Sequence, residues 1–271
     1  MAKNEKRKWK SNKKKNKNKV IPFKAKATKK VPLKKKLSDI YNLIDLETTC
    51  SGRCECCKVA MPQMNYCEFL QVLNEIWDKE DNQGKIDIIK TSIEYFFRHD
   101  FEKWGKDSLV KPCMLLAEDG KCRYYESRPL SCRMYGLWPE DDYNARVDKF
   151  EKAYEGLLTR DELPLNTQCQ HVKRVNPEVE LTTEVIEGLF QKLDILDAKM
   201  QRFSASQITN KENYRTFHDW FLLTFFGENW LTAMTDFILK ADIDAMRDQI
   251  KQIKLVVDEK FAAGVPDLHL E

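Results

Sequence analysis

The chain has 271 residues, 42% of them apolar, with nine cysteines and a net charge of +3. That is enough length and apolar content for an ordinary core, which excludes a small disulfide-stapled domain as the reason for the cysteines. The small net charge conceals a division. Residues 1–36 hold 17 of the 46 basic residues and one of the 43 acidic ones, a net +16, which leaves the remainder at −13.

The first 36 residues are rich in Lys and Asn and nearly free of periodic apolar positions. They have little to bury against their ordering entropy, so a disordered basic arm is expected. Such an arm is attracted to nucleic acid or a nucleoprotein assembly by counterion release, without sequence preference. An acidic protein partner is the main rival. The start has no apolar stretch of signal-peptide type, and no run reaches the roughly 18–20 apolar residues that span a membrane. A reducing, cytoplasmic location is therefore expected, within a nucleoprotein particle if the arm delivers it there.

Next comes a dense thiol run, Cys50-Ser-Gly-Arg-Cys54-Glu-Cys56-Cys57. It is followed by Met64–Trp77, a helical pattern in which Cys67 reads as a buried thiol. Residues 83–99 set Ile86, Ile89, Ile93, Phe96 and Phe97 at helical spacing. The segment 105–140 reads as irregular and metal-organised, and carries Cys113, Cys122 and Cys132. Gly120 suits the turn that returns Cys122 towards Cys113, and Pro129 suits the first turn of a short helix bearing Cys132. Residues 141–170 are charged, with a helix expected over 144–157. Cys169 follows, with His171 two residues beyond as a further donor.

Thr182 or Thr183 caps a predicted helix reaching about 203, with Ile186, Leu189, Phe190, Leu193, Leu196 and Met200 on one face. A helix over 211–226 is predicted to end at Gly227. Its run Trp220–Phe226 reads as core, and is also the best candidate surface for a protein partner. Helices over 229–240 and 242–261 close the chain, the last with a stripe of Met246, Ile250, Ile253 and Val257. The expected architecture is mainly α. A cysteine-cluster domain over 37–205 lies between the arm, 1–36, and a C-terminal helical extension, 206–271.

Thiolates this dense in a reducing compartment read as metal ligands. Zinc and iron–sulfur clusters both accept four cysteines. Structural zinc modules use two compact pairs, whereas here one run is completed by single cysteines spread over a hundred residues. That favours a [4Fe–4S] cluster over Zn. Arg123, Arg128 and Arg133 flank Cys122 and Cys132 and suit charge compensation of a thiolate-rich centre. No carboxylate pair, phosphate-binding glycine loop or Ser-His-Asp order stands out, and nine glycines argue against ordinary nucleotide-binding folds. His99, His218 and His269 have no partners at metal-ligand spacing.

Pro112-Cys113, Gly120-Lys-Cys122, Tyr125-Glu-Ser-Arg-Pro-Leu130 and Cys132-Arg-Met-Tyr-Gly136 resemble the YkgJ-type cysteine-cluster family, also called CxxCxxCC or zinc/iron-chelating. The resemblance covers residues 38–200. The family pattern begins C-x2-C-x2-C-C, whereas this chain has Cys50-x3-Cys54-x-Cys56-Cys57. The resemblance implies a metal or Fe–S protein; the leading reading is a metal held by Cys54, Cys57, Cys113, Cys122 and Cys132, with Cys50, Cys56 and Cys169 contributing or forming a second centre.

Two alternatives stay open. One is an Fe–S-dependent modifying enzyme resembling flagellin lysine N-methylase. Cys50-x3-Cys54-x2-Cys57 also has the spacing used by radical S-adenosylmethionine enzymes, but their repeated strand–helix units are not evident. The other is a structural component of a nucleic-acid-containing particle whose metal only holds the fold.

Overall fold

The computed structural model describes residues 32–43, 49–50, 55–98, 101–108, 111–175, 180–200 and 214–266. All of them fall in one unit, Val31–Glu271. The expected disorder of the arm lies outside the described residues except for its last five positions, as do Cys54, His99 and His269.

The architecture is mainly α. Helix α1 spans Leu33–Tyr41, α2 Glu55–Val59, α3 Tyr66–Lys79 and α4 Asn82–Phe97. Short helices α5, Phe101–Trp104, and α6, Leu130–Met134, bracket an irregular stretch. Helices α7, Glu140–Ala153, and α8, Thr183–Met200, follow. The C-terminal group is α9, Phe217–Phe226, α10, Glu228–Lys240, and α11, Ile243–Phe261.

Apolar periodicity decides the packing. Ile86, Ile89, Ile93 and Phe97 of α4 are buried, and face the buried Met246, Ile250, Ile253 and Val257 of α11. Phe217, Trp220, Phe221 and Leu222 of α9 complete this larger core with Phe69, Leu73 and Ile76 of α3. A second core gathers Leu37 and Tyr41 of α1, Leu130 and Met134 of α6, and Ile186, Leu189, Leu193 and Leu196 of α8. Cys67, on α3, is wholly buried in this second core. Helix α3 therefore lies between the two cores and belongs to both. A small third cluster, Tyr143, Val147, Leu158 and Leu163, seats α7.

Several boundaries depart from the sequence expectation: the helical pattern over Met64–Trp77 begins only at Tyr66, because Met64 and Asn65 belong to a strand. The helix expected over 211–226 begins at Phe217. Tyr214–Thr216 is instead a strand, β2, paired antiparallel with β1, Gln63–Asn65. Thr216 ends the strand because its hydroxyl accepts the Asp219 amide and so caps α9. The helix expected over 144–157 runs from Glu140 to Ala153, set one turn earlier by Pro139 and three first-turn acids. Gly227, at φ 83°, ends α9 as expected. Helix α1 also starts inside the segment assigned to the arm, since Leu33 packs against both main cores. No described helix is long and apolar enough to cross a membrane.

Candidate metal centre

The irregular stretch between α5 and α7 is fastened to Glu68 and Glu75 of α3 and to Glu80 just past its end. Tyr124 donates its hydroxyl to Glu80 Oε1 at 2.5 Å, Ser127 donates to Glu75, and the Leu130 amide donates to Glu68 Oε1 at 2.6 Å. Ser131 donates to the Gln63 carbonyl at 2.7 Å. Gly120, at φ 78°, turns the chain so that Leu116 and Cys122 pair across a β-bridge. The Cys113 amide donates to the Cys57 carbonyl at 2.5 Å, which joins the first cysteine run to the second.

A third segment closes over these two. Thr49 and Lys173 exchange backbone and side-chain hydrogen bonds, and Thr49 also donates to the His171 carbonyl. Tyr135 and Tyr143 both donate to the Thr167 carbonyl, and Gln168 donates to that of Trp138. Gly136, at φ 86°, lies directly beneath this strap. A Cβ at 136 would stand 2.9 Å from the Cys169 carbonyl oxygen and 3.2 Å from Cys169 Cβ. Close approach of the two backbones therefore requires glycine here, and brings Cys169 to the site.

The result is one cavity of about 70 Å³ whose walls include Cys50, Cys56, Cys57, Cys113, Cys122, Cys132 and Cys169. His171, Arg128 and Arg133 line it as well. These seven thiols are all the described cysteines except Cys67. Cys54 lies outside the described residues. Arg123 is not among the lining residues. His218 is buried beside Tyr95 and Asp219 in the α9 region, away from the cavity.

The electrostatics follow from thiols crowded into a partly enclosed space. Cys56 and Cys57 Sγ lie 3.9 Å apart. The hydrogen bond from Cys57 holds Cys56 down at about 7, and the same sharing drives Cys57 upward. Burial pushes Cys132 well up, and charge on Cys113, Cys56 and Cys122 pushes it further, while Arg128 opposes them. Arg128 stacks on Tyr125, 3.3 Å from the ring centroid, and gives its Nε–H to the Tyr125 carbonyl. Arg133 stacks on Tyr41 at 4.6 Å and donates to the carbonyls of Arg128 and Glu126. Both guanidiniums are thus fixed by backbone acceptors, and the charge of Arg128 acts on Cys56 and Cys132.

This donor set fits a thiophilic metal in kind, since thiolates select zinc, copper(I) and iron–sulfur centres over hard cations. A cation here would oppose the crowding and burial that push Cys57 and Cys132 upward. Among the described residues, no group of three or more Cys, His, Asp or Glu side chains is drawn together closely enough to hold a metal ion. The thiols share a cavity without converging on one point.

Sequence reasoning missed the supporting carboxylates. Glu68 and Asp197 are buried polar residues of the core. Asp197, on α8, accepts the amides of Tyr66 and Cys67 at 2.8 and 2.6 Å and so caps α3 from outside. Acidic residues on apolar helical faces were the available signal.

Residues 49–154 match the CxxCxxCC family, described as a "putative zinc- or iron-chelating domain". The match takes in both main cysteine runs and stops before Cys169. No curated protein and no solved structure matches the chain.

Proposed function

We propose, from the premise that residues 49–154 are a CxxCxxCC domain, that this protein holds a metal centre through Cys50, Cys54, Cys56, Cys57, Cys113, Cys122, Cys132 and Cys169. The observation that carries this reading is the gathering of seven thiols, from three separate stretches of chain, around one cavity. Ordinary core cysteines would be scattered among the helices, as Cys67 is.

An iron–sulfur cluster, [4Fe–4S] in preference to zinc, is the finer proposal. Two features support it. The donors do not form two compact pairs of zinc-module type, and Arg128 lies where a thiolate-rich centre needs compensating charge. Such a cluster would supply one-electron chemistry, or an open iron position if one ligand is not protein. The chain's own part is to present the thiols, to fix the two guanidiniums, and to cover the cavity with the strap over 165–173.

We further propose that residues 1–36, at net +16, associate with nucleic acid or a nucleoprotein assembly. The test of the metal proposal is the absorption spectrum, with EPR before and after reduction, of protein purified without air. A broad visible band and a signal on reduction are expected. A colourless protein with zinc would overturn the iron–sulfur assignment and keep the metal. The test of the arm is binding to mixed-sequence RNA and DNA across a salt series, where a steep, sequence-independent fall is expected.

A further inference from the structure

Beneath the thiol cavity lies a buried polar network that supplies no metal ligand. We propose that Glu68 is a positioning residue for the centre: its carboxylate holds the backbone of Leu130 and so fixes where α6 presents Cys132. The inference rests on the metal-binding reading above.

Glu68 is 1% exposed, among the apolar side chains of α1, α6 and α8. A carboxylate in such a place costs far more than the leucine or methionine that would fill it. It is satisfied by three donors from three different parts of the chain. Oε1 accepts the Tyr41 hydroxyl at 2.6 Å and the Leu130 amide at 2.6 Å, while Oε2 accepts the Asn65 amide at 3.1 Å. Leu130 is the first residue of α6, and Cys132 stands two residues on. An apolar replacement could fill the volume but could not accept that amide.

The network closes on the other side of the same turn. Tyr41, held by Glu68, offers its ring to Arg133, and Arg133 binds the carbonyls of Glu126 and Arg128. The turn from 126 to 133 is therefore gripped at its helix start by Glu68 and at its carbonyls through Tyr41. Arg128 and Cys132, which face the cavity, both lie within it. Asp197 completes the arrangement by fixing the amides of Tyr66 and Cys67, the residues just before Glu68. Outer hydrogen bonds of this kind typically alter metal affinity by about 10- to 100-fold when removed.

The experiment uses the full chain, freed of metal and titrated with cobalt(II), which reports thiolate ligation through its charge-transfer band. Wild type, Glu68→Ala, Glu68→Gln, Tyr41→Phe and Ile250→Ala are compared where circular dichroism shows each to be folded. Ile250→Ala supplies a comparable loss of stability from the other core. The expected result is about a 10- to 100-fold weaker affinity and a shifted band for Glu68→Ala. Glu68→Gln, which keeps an acceptor oxygen, should recover most of the loss, and Tyr41→Phe should fall between. Ile250→Ala should bind as wild type. Wild-type affinity and spectrum in folded Glu68→Ala would overturn the inference, as would an equal loss in Ile250→Ala. If Glu68→Ala does not fold, Tyr41→Phe decides by the same criterion. Wild type that neither binds cobalt(II) nor takes up iron on anaerobic reconstitution with iron and sulfide would sink the metal-binding reading itself.

Discussion

At the scale of single residues, the cysteines divide by what surrounds them. Cys67 and Cys132 both lie on short-range helical patterns, but one faces Leu193 in a dry core and the other faces a thiol-lined cavity. Cys67→Ala should leave metal content unchanged and cost about 1 kcal/mol in denaturant unfolding. Cys132→Ser should lose metal with little effect on the metal-free fold. Gly136→Ala places a methyl group against the Cys169 carbonyl at a left-handed position. It should lift the strap and cost roughly 2 kcal/mol, read as faster thiol labelling of Cys169. Burial pushes the Glu68 carboxyl up to about 7. Its stabilising protonated form is then present below the unfolded value near 4.5 and is lost as pH rises through 7. Metal-free wild type should lose stability across that window relative to Glu68→Gln, and parallel melts at several pH values would show it. Cysteine spacing picked out the seven thiols that line the cavity. Glu68 and Asp197 announced themselves only as acids on apolar helical faces, and their partners became evident only from the donors that folding brings to them.

At the scale of elements, apolar periodicity over three or more turns was legible. The stripes of α4, α8 and α11 point inward as their spacing requires. Most short elements were not, because three residues of strand carry no usable period; α6 was the exception, announced by Pro129 ahead of Cys132. Tyr214–Thr216 is extended because β1 offers a partner more than a hundred residues away, and α6 exists because Glu68 and Pro129 fix its start. Thr216 marks the switch from strand to helix. Thr216→Ala should lower stability by about 1 kcal/mol, measurable by urea unfolding. The ion pairs Lys254–Glu94 and Lys90–Asp258 join α11 to α4 at partly exposed positions, and pairs of that kind contribute little. Truncating Ile250 should therefore cost about 2–4 kcal/mol, far more than removing either pair.

At the scale of the whole molecule, the charge division and the cysteine cavity are separate devices. Deleting residues 1–30 leaves Leu33 and α1 intact, so the helical core and the thiol cavity should persist. Nucleic-acid binding and its salt dependence should be lost; retained binding after this deletion would remove the arm's proposed role. The central claim is that thiols from three stretches of chain hold one metal centre. The most direct measurement is iron, zinc and acid-labile sulfide per chain in protein purified without air, for wild type and for Cys113→Ser/Cys132→Ser. The account predicts about four irons with matching sulfide in wild type, and neither in the double variant. Wild-type protein that carries no metal, with every thiol open to titration, would contradict it.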